Sequence, residues 1–178
     1  MKTLTKKKSI ESMTKEEARI AICKDVLRHL RSLRVKSGNG YLVDRAWADG
    51  GCELPPATDD AQKHVGKITK RCEVCALGGM MLSFIRLFDD VPMKKLIDFY
   101  GNEIGCERDY LISKLKRYFT PDQLYQIEYA FEHGAGLKDR FNVYSGDPED
   151  DKNRLRATML NVIRNGGKFV PYEEEVMA

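Results

Sequence analysis

The stretch Arg71-Cys-Glu-Val-Cys-Ala-Leu-Gly-Gly-Met-Met-Leu-Ser-Phe-Ile-Arg-Leu-Phe-Asp89 decides the fold. Between Val74 and Phe88 only Ser83 and Arg86 are polar. At helical spacing Cys72, Cys75, Ala76, Gly79 and Ser83 share one side, and all are small. Leu77, Met80, Met81, Phe84, Ile85 and Phe88 fill the other directions. A helix that is apolar nearly all round belongs in the interior. The pattern therefore predicts a buried central helix over 72–88 whose small face admits a neighbouring backbone. Gly78-Gly79 inside it costs about 1 kcal/mol per glycine relative to alanine. Either a neighbouring helix approaches closely there, or the segment breaks into two shorter helices.

Working outward, Thr14-Lys-Glu-Glu17 matches a capping box. Ala18, Ile22, Val26, Leu30 and Leu33 continue from it as an apolar stripe, which predicts a helix reaching Lys36 before the breaker Ser37-Gly-Asn-Gly40. On the far side of the buried helix, Arg108–Phe119 and Thr120–Glu132 read as a helical hairpin, with Thr120 as N-cap and Pro121 at the first helical position. Leu124, Ile127, Tyr129, Ala130 and Phe131 supply the apolar residues of its second helix. Asp147-Pro148 opens a last helix with Glu149, Asp150 and Asp151 in its first turn, where acidic groups suit the helix dipole, and Asn165-Gly166-Gly167 closes it. Residues 37–70 read as an irregular loop, punctuated by Gly50-Gly51, Pro55-Pro56 and Asp59-Asp60. The expected architecture is all-α: about five helices in one domain over 14–171, with a mobile basic tail at 1–13 and an acidic C-terminal tail at 172–178.

Composition narrows the class. Of 178 residues, 42% are hydrophobic and 32% charged, enough for a modest core and a well-solvated surface. No run approaches the roughly 18 apolar residues of a membrane span, so no membrane partner is expected. The first residues, Met-Lys-Thr-Leu-Thr-Lys-Lys-Lys, have no apolar segment behind their charges, and five cysteines are an odd number. Reduced thiols in a cytoplasm are the expectation. The net charge of +3 is uneven: 16 Lys and Arg face 9 Asp and Glu up to Arg71, and 14 face 18 after it.

Candidate sites are few. Lys24, Arg28, Arg31 and Arg34 form a basic ridge on the first helix, a possible nucleic-acid contact with Lys6, Lys7 and Lys8 as an arm. The same residues equally describe the solvated face of an amphipathic helix, and no groove-reading motif accompanies them. Tyr41 and Trp47 in the irregular loop read as exposed anchors for a protein partner. Cys52, His64, Cys72 and Cys75 are chemically sufficient for a tetrahedral zinc. The second Cys-x2-Cys of a common zinc pattern is missing, however, and Cys72 and Cys75 also fit packing beside Ala76 and Gly79. No cofactor is otherwise expected. The chain carries no nucleophile elbow, P-loop, dinucleotide fingerprint or His-Glu-x2-His, and its three histidines lie far apart.

Cys75-Ala-Leu-Gly78, continuing into Met-Met-Leu-Ser-Phe-Ile-Arg86, resembles the Cys-Ala-Leu-Gly segment of a family of small, uncharacterised helical proteins of bacteria and their phages. Arg154-Leu-Arg-Ala-Thr-Met-Leu-Asn-Val-Ile-Arg-Asn-Gly-Gly-Lys-Phe-Val-Pro171 is similar to the ending of that group. Together the two segments cover about a fifth of the chain. Gly79 stands where alanine is expected, and 37–70 resembles an insertion. The resemblance implies a phage-encoded cytoplasmic protein of a bacterial host cell and transfers no activity. The combined expectation is a non-enzymatic protein-interaction module that binds or inhibits a host or defence component, with a nucleic-acid-associated protein or a zinc-stabilised domain as the alternatives.

Overall fold

The computed structural model describes residues 12–38, 41–45, 54–88, 91–97, 104, 108–143 and 145–172. These form six helices and three short strands: α1 (Lys15–His29), β1 (Arg34–Val35), β2 (Leu42–Asp44), α2 (Ala61–Arg71), β3 (Cys72–Val74), α3 (Ala76–Phe88), α4 (Arg108–Leu115), α5 (Pro121–His133) and α6 (Pro148–Arg164). The fold is mostly helical but not all-α, because β3 pairs with β1 in parallel and with β2 antiparallel.

The expected interior rod is α3. Every residue from Ala76 to Ile85 is buried, and so is Phe88. It packs on α1, α2, α4 and α5, while α6 closes the bundle against α1 and α5. Each large apolar side chain fully buried here contributes about 1.5–3 kcal/mol. The helix begins four residues later than expected, since Cys72–Val74 is the central strand. The close approach is also made differently. The backbone that meets the glycine pair is not a helix but the chain at Tyr41, entering β2, and it lies on Gly78. A Cβ on Gly78 would fall inside the Tyr41 carbonyl oxygen and 2.7 Å from its carbon. Gly79 has only side chains near it, with Leu33 Cδ1, Val26 Cγ1 and Leu155 Cδ2 at 3.7–3.9 Å.

The irregular reading of 37–70 does not hold. β2 lies within it, and Ala61–Arg71 is an eleven-residue helix. The start of α2 is held by neighbouring backbone: Ala61 N–H donates to Val91 O and Met93 N–H to Asp59 O. Similarly, α1 does not reach Lys36. The capping box forms as expected, with Glu17 N–H donating to Thr14 Oγ1 at 3.1 Å and Thr14 N–H to Glu17 Oε2 at 2.9 Å. The helix then ends at His29, tightens into a 3-10 turn over Leu30–Ser32 and turns extended at Leu33. The apolar stripe is buried throughout regardless, including Leu30 and Leu33.

Three buried charge clusters fix how the elements dock. Arg86 of α3 donates to Asp25 Oδ2 of α1 at 3.1 Å and to Thr69 Oγ1 of α2 at 3.0 Å. Arg71 at the end of α2 grips Asp44 of β2 through Nε at 3.0 Å and Nη2 at 2.6 Å, and Asp44 also accepts from Ile104 N–H. Arg154 of α6 is fully buried and donates to Phe131 O, to Asn142 O and to Asp151 Oδ1. Beyond α6, Gly166 and Gly167 take positive φ, and Gly167 N–H returns to Val162 O. The segment that follows is clamped by two side-chain amides. Gln123 of α5 bonds both backbone groups of Phe169, and Asn161 of α6 bonds both of Val170.

Candidate functional site

The basic ridge does not survive as one helical face. Lys24 and Arg28 are exposed on α1, Arg31 sits on the 3-10 turn, and Arg34 is in β1. Arg28 lies 3.4 Å from Asp25 Oδ1. Only Arg31 and Arg34 come together, at one cleft described below.

Tyr41 is not an exposed anchor. It is buried, and its hydroxyl donates to Glu128 Oε2 at 3.3 Å. Its main chain lies against Gly78, and Tyr41 is one of the residues lining the recess beside Tyr125 described below. Trp47 lies outside the described residues, as do Cys52 and nearly all of the expected 1–13 and 172–178 tails.

The remaining zinc candidates are spread apart. His64 sits in the first half of α2, and Cys72 follows the last residue of that helix, so about 12 Å of helical rise separates them at 1.5 Å per residue. His64 Nε2 lies 2.7 Å from Asp59 Oδ2. Cys72 and Cys75 are buried beside α3, and desolvation pushes each thiol up from 9.0 to about 12, aided at Cys72 by the nearby Asp44 carboxylate. Among the described residues no three His, Cys, Asp or Glu side chains gather where they could hold a metal ion. No described helix is long and apolar enough to cross a membrane.

What sequence reasoning missed lies on α5. Leu124, Ile127, Ala130 and Phe131 face the core as expected, but Tyr129 does not. Tyr125 is 64% exposed and Tyr129 46%. Their rings stack at 5.8 Å with planes 18° apart, and Tyr129 meets the His133 ring at 4.6 Å. The spacing of i, i+4 and i+8 puts the three rings on one line along the helix. That spacing was the available signal. Tyr129 also falls among the apolar residues of the helix, which hides that spacing in the sequence. Beside Tyr125 a recess of about 210 Å³ opens between α4 and α5, floored by Leu77, Ile112 and Leu124. Tyr41, Asp109, Lys116, Pro121 and Glu128 also line it.

A second concavity of about 630 Å³ lies between the Arg31–Ser37 segment and the start of α6. Leu33, Val35, Val143 and Pro148 give it apolar walls, and Arg31, Arg34, Lys36 and Lys152 bring four cations to it. Its two carboxylates are already engaged. Glu73 pairs with Arg45 at 3.0 Å, and Asp151 pairs with Arg154. Asp151 also accepts from Ser37 N–H at 2.9 Å and from Ser37 Oγ at 3.0 Å, which ties the two walls together.

Comparison with protein-family models, with curated proteins and with solved structures finds no match.

Proposed function

We propose that this chain is a non-enzymatic protein-interaction module whose docking face is the exposed side of α5. The carrying observation is the line Tyr125–Tyr129–His133, two stacked tyrosine rings and a tilted imidazole exposed on a helix whose opposite side is anchored in the core. Tyrosine is enriched among residues that dominate binding energy, because it brings large contact area with only two rotatable side-chain bonds. The adjoining recess supports the same reading. At about 210 Å³ it is smaller than the roughly 300–1,000 Å³ typical of small-molecule sites, and it suits one large apolar side chain inserted by a partner. The occupant is thus a protein that lays an apolar anchor beside Tyr125 and packs its neighbouring surface over Tyr129. The resemblance to small phage proteins makes a bacterial host or defence component the class of partner to seek.

The test compares wild type with Tyr125→Ala/Tyr129→Ala in affinity capture from bacterial lysate. Both side chains are exposed, so the variant should fold with an unchanged circular dichroism spectrum. A partner held by wild type and weakened about 100-fold or more in the variant is the expected result. Equal capture by both proteins would overturn the proposal. So would concentration-dependent self-association of wild type that the variant loses, because the face would then join two copies of this chain.

A further inference from the structure

The cleft between β1 and α6 points to a second binding site, and we propose that it takes a phosphorylated small molecule of nucleotide size. At about 630 Å³ it falls within the range of small-ligand sites. Among its lining residues cations outnumber carboxylates. Glu73 and Asp151 are occupied by Arg45 and Arg154, while Arg31, Lys36 and Lys152 stand around the opening. Several cations converging on one concavity call for a ligand with at least two negative charges, and phosphate meets this better than a single carboxylate. The apolar wall of Leu33, Val35, Val143 and Pro148 calls for an organic body attached to that phosphate.

The site is also preformed. Asp151 bridges the walls by accepting from Ser37, and Arg154 secures Asp151 from the fully buried side while holding Phe131 O and Asn142 O. Ligand entry would therefore require little ordering of the surrounding chain. A nucleic-acid strand fits less well. The exposed Glu149 and the neighbouring Asp150 stand in the first turn of α6 beside Pro148, where they would repel a phosphodiester chain running on from the cleft.

Titration calorimetry of the full chain with ATP, AMP, inorganic phosphate and a single-stranded oligonucleotide tests the assignment. ATP or AMP should bind at least about tenfold more tightly than inorganic phosphate, which lacks the organic body, and more tightly than the oligonucleotide. Arg31→Glu/Lys36→Glu/Lys152→Glu should weaken that binding about 100-fold or more. Lys24→Glu/Arg28→Glu, which reverses charge away from the cleft, should change it less than about twofold. Arg31→Ala/Lys152→Ala provides a milder pair, expected to lose about tenfold, should the triple variant fold poorly. The proposal fails if neither ATP nor AMP binds at millimolar concentration. It also fails if the oligonucleotide binds more tightly than either, or if the cleft variants bind as wild type does.

Discussion

Replacing Gly78 by alanine should destabilise the protein sharply, although alanine is the better helix former. On propensity alone the change gains about 1 kcal/mol. Against this, the added Cβ would sit inside the Tyr41 carbonyl oxygen, 2.7 Å from the Tyr41 carbonyl carbon and 3.2 Å from Val74 Cβ. The first two atoms are backbone, so no side-chain rotation relieves the overlap. The chain at Tyr41 must lift from α3, which disturbs the pairing of Leu42 with Val74 and the Tyr41–Glu128 hydrogen bond. Overpacking of a well-filled core costs about 1–3 kcal/mol where side chains can adjust, and a backbone obstruction belongs at or above the top of that range. The expected net loss is about 3 kcal/mol, a fall in Tm of roughly 6–12 °C for a domain of this size. Gly79→Ala is the internal control. Its nearest neighbours, at 3.7–3.9 Å, are in ordinary contact range, so it should be neutral or stabilising by up to about 1 kcal/mol. Urea unfolding of both variants, followed by circular dichroism, measures the contrast. Equal stability of the two, or a Gly78→Ala variant more stable than wild type, would refute the reasoning.

Other outcomes follow from the buried charges and thiols. Asp44→Ala should cost about 3–5 kcal/mol, because it removes the carboxylate that accepts from the buried Arg71 guanidinium and from the Ile104 N–H, and adding Arg71→Met should recover part of that loss in a double-mutant cycle. Cys23, Cys72 and Cys75 should resist alkylation in the folded protein at mildly alkaline pH and react only after denaturation, as mass spectrometry of labelled peptides would show. Burial raises these three thiols to about 12 from 9.0, so above pH 9 the unfolded chain releases protons that the folded chain retains. Stability should therefore fall as pH rises from 9 toward 12, and a stability profile flat across that window would contradict the burial.

The helices were legible where their signals are local. The Thr14–Glu17 box, the Thr120-Pro121 and Asp147-Pro148 starts and the apolar run of α3 each declare themselves within a few residues. The strands were not, because two or three residues carry no readable period. Arg34-Val35 and Cys72–Val74 are strands only through pairing across the fold. Helix α2 had a faint signature in Ala61, Val65 and Ile68, obscured by Gly66 and the polar residues between them. The candidate surfaces were harder still. Ser37 and Asp151, which join the walls of the larger cleft, are 114 positions apart, and only the packed bundle brings them together. Tyr41 follows the breaker at 37–40 in the sequence, and its burial depends on partners far along the chain, Gly78 for its backbone and Glu128 for its hydroxyl.

Hydroxyl-radical footprinting of the chain, free and with its captured partner, tests the docking face most directly. Oxidation of Tyr125 and Tyr129, high in the free protein, should drop several-fold in the complex, while buried Phe84 and Phe131 stay silent in both. Unchanged oxidation of both tyrosines in a complex that protects another surface would contradict the account.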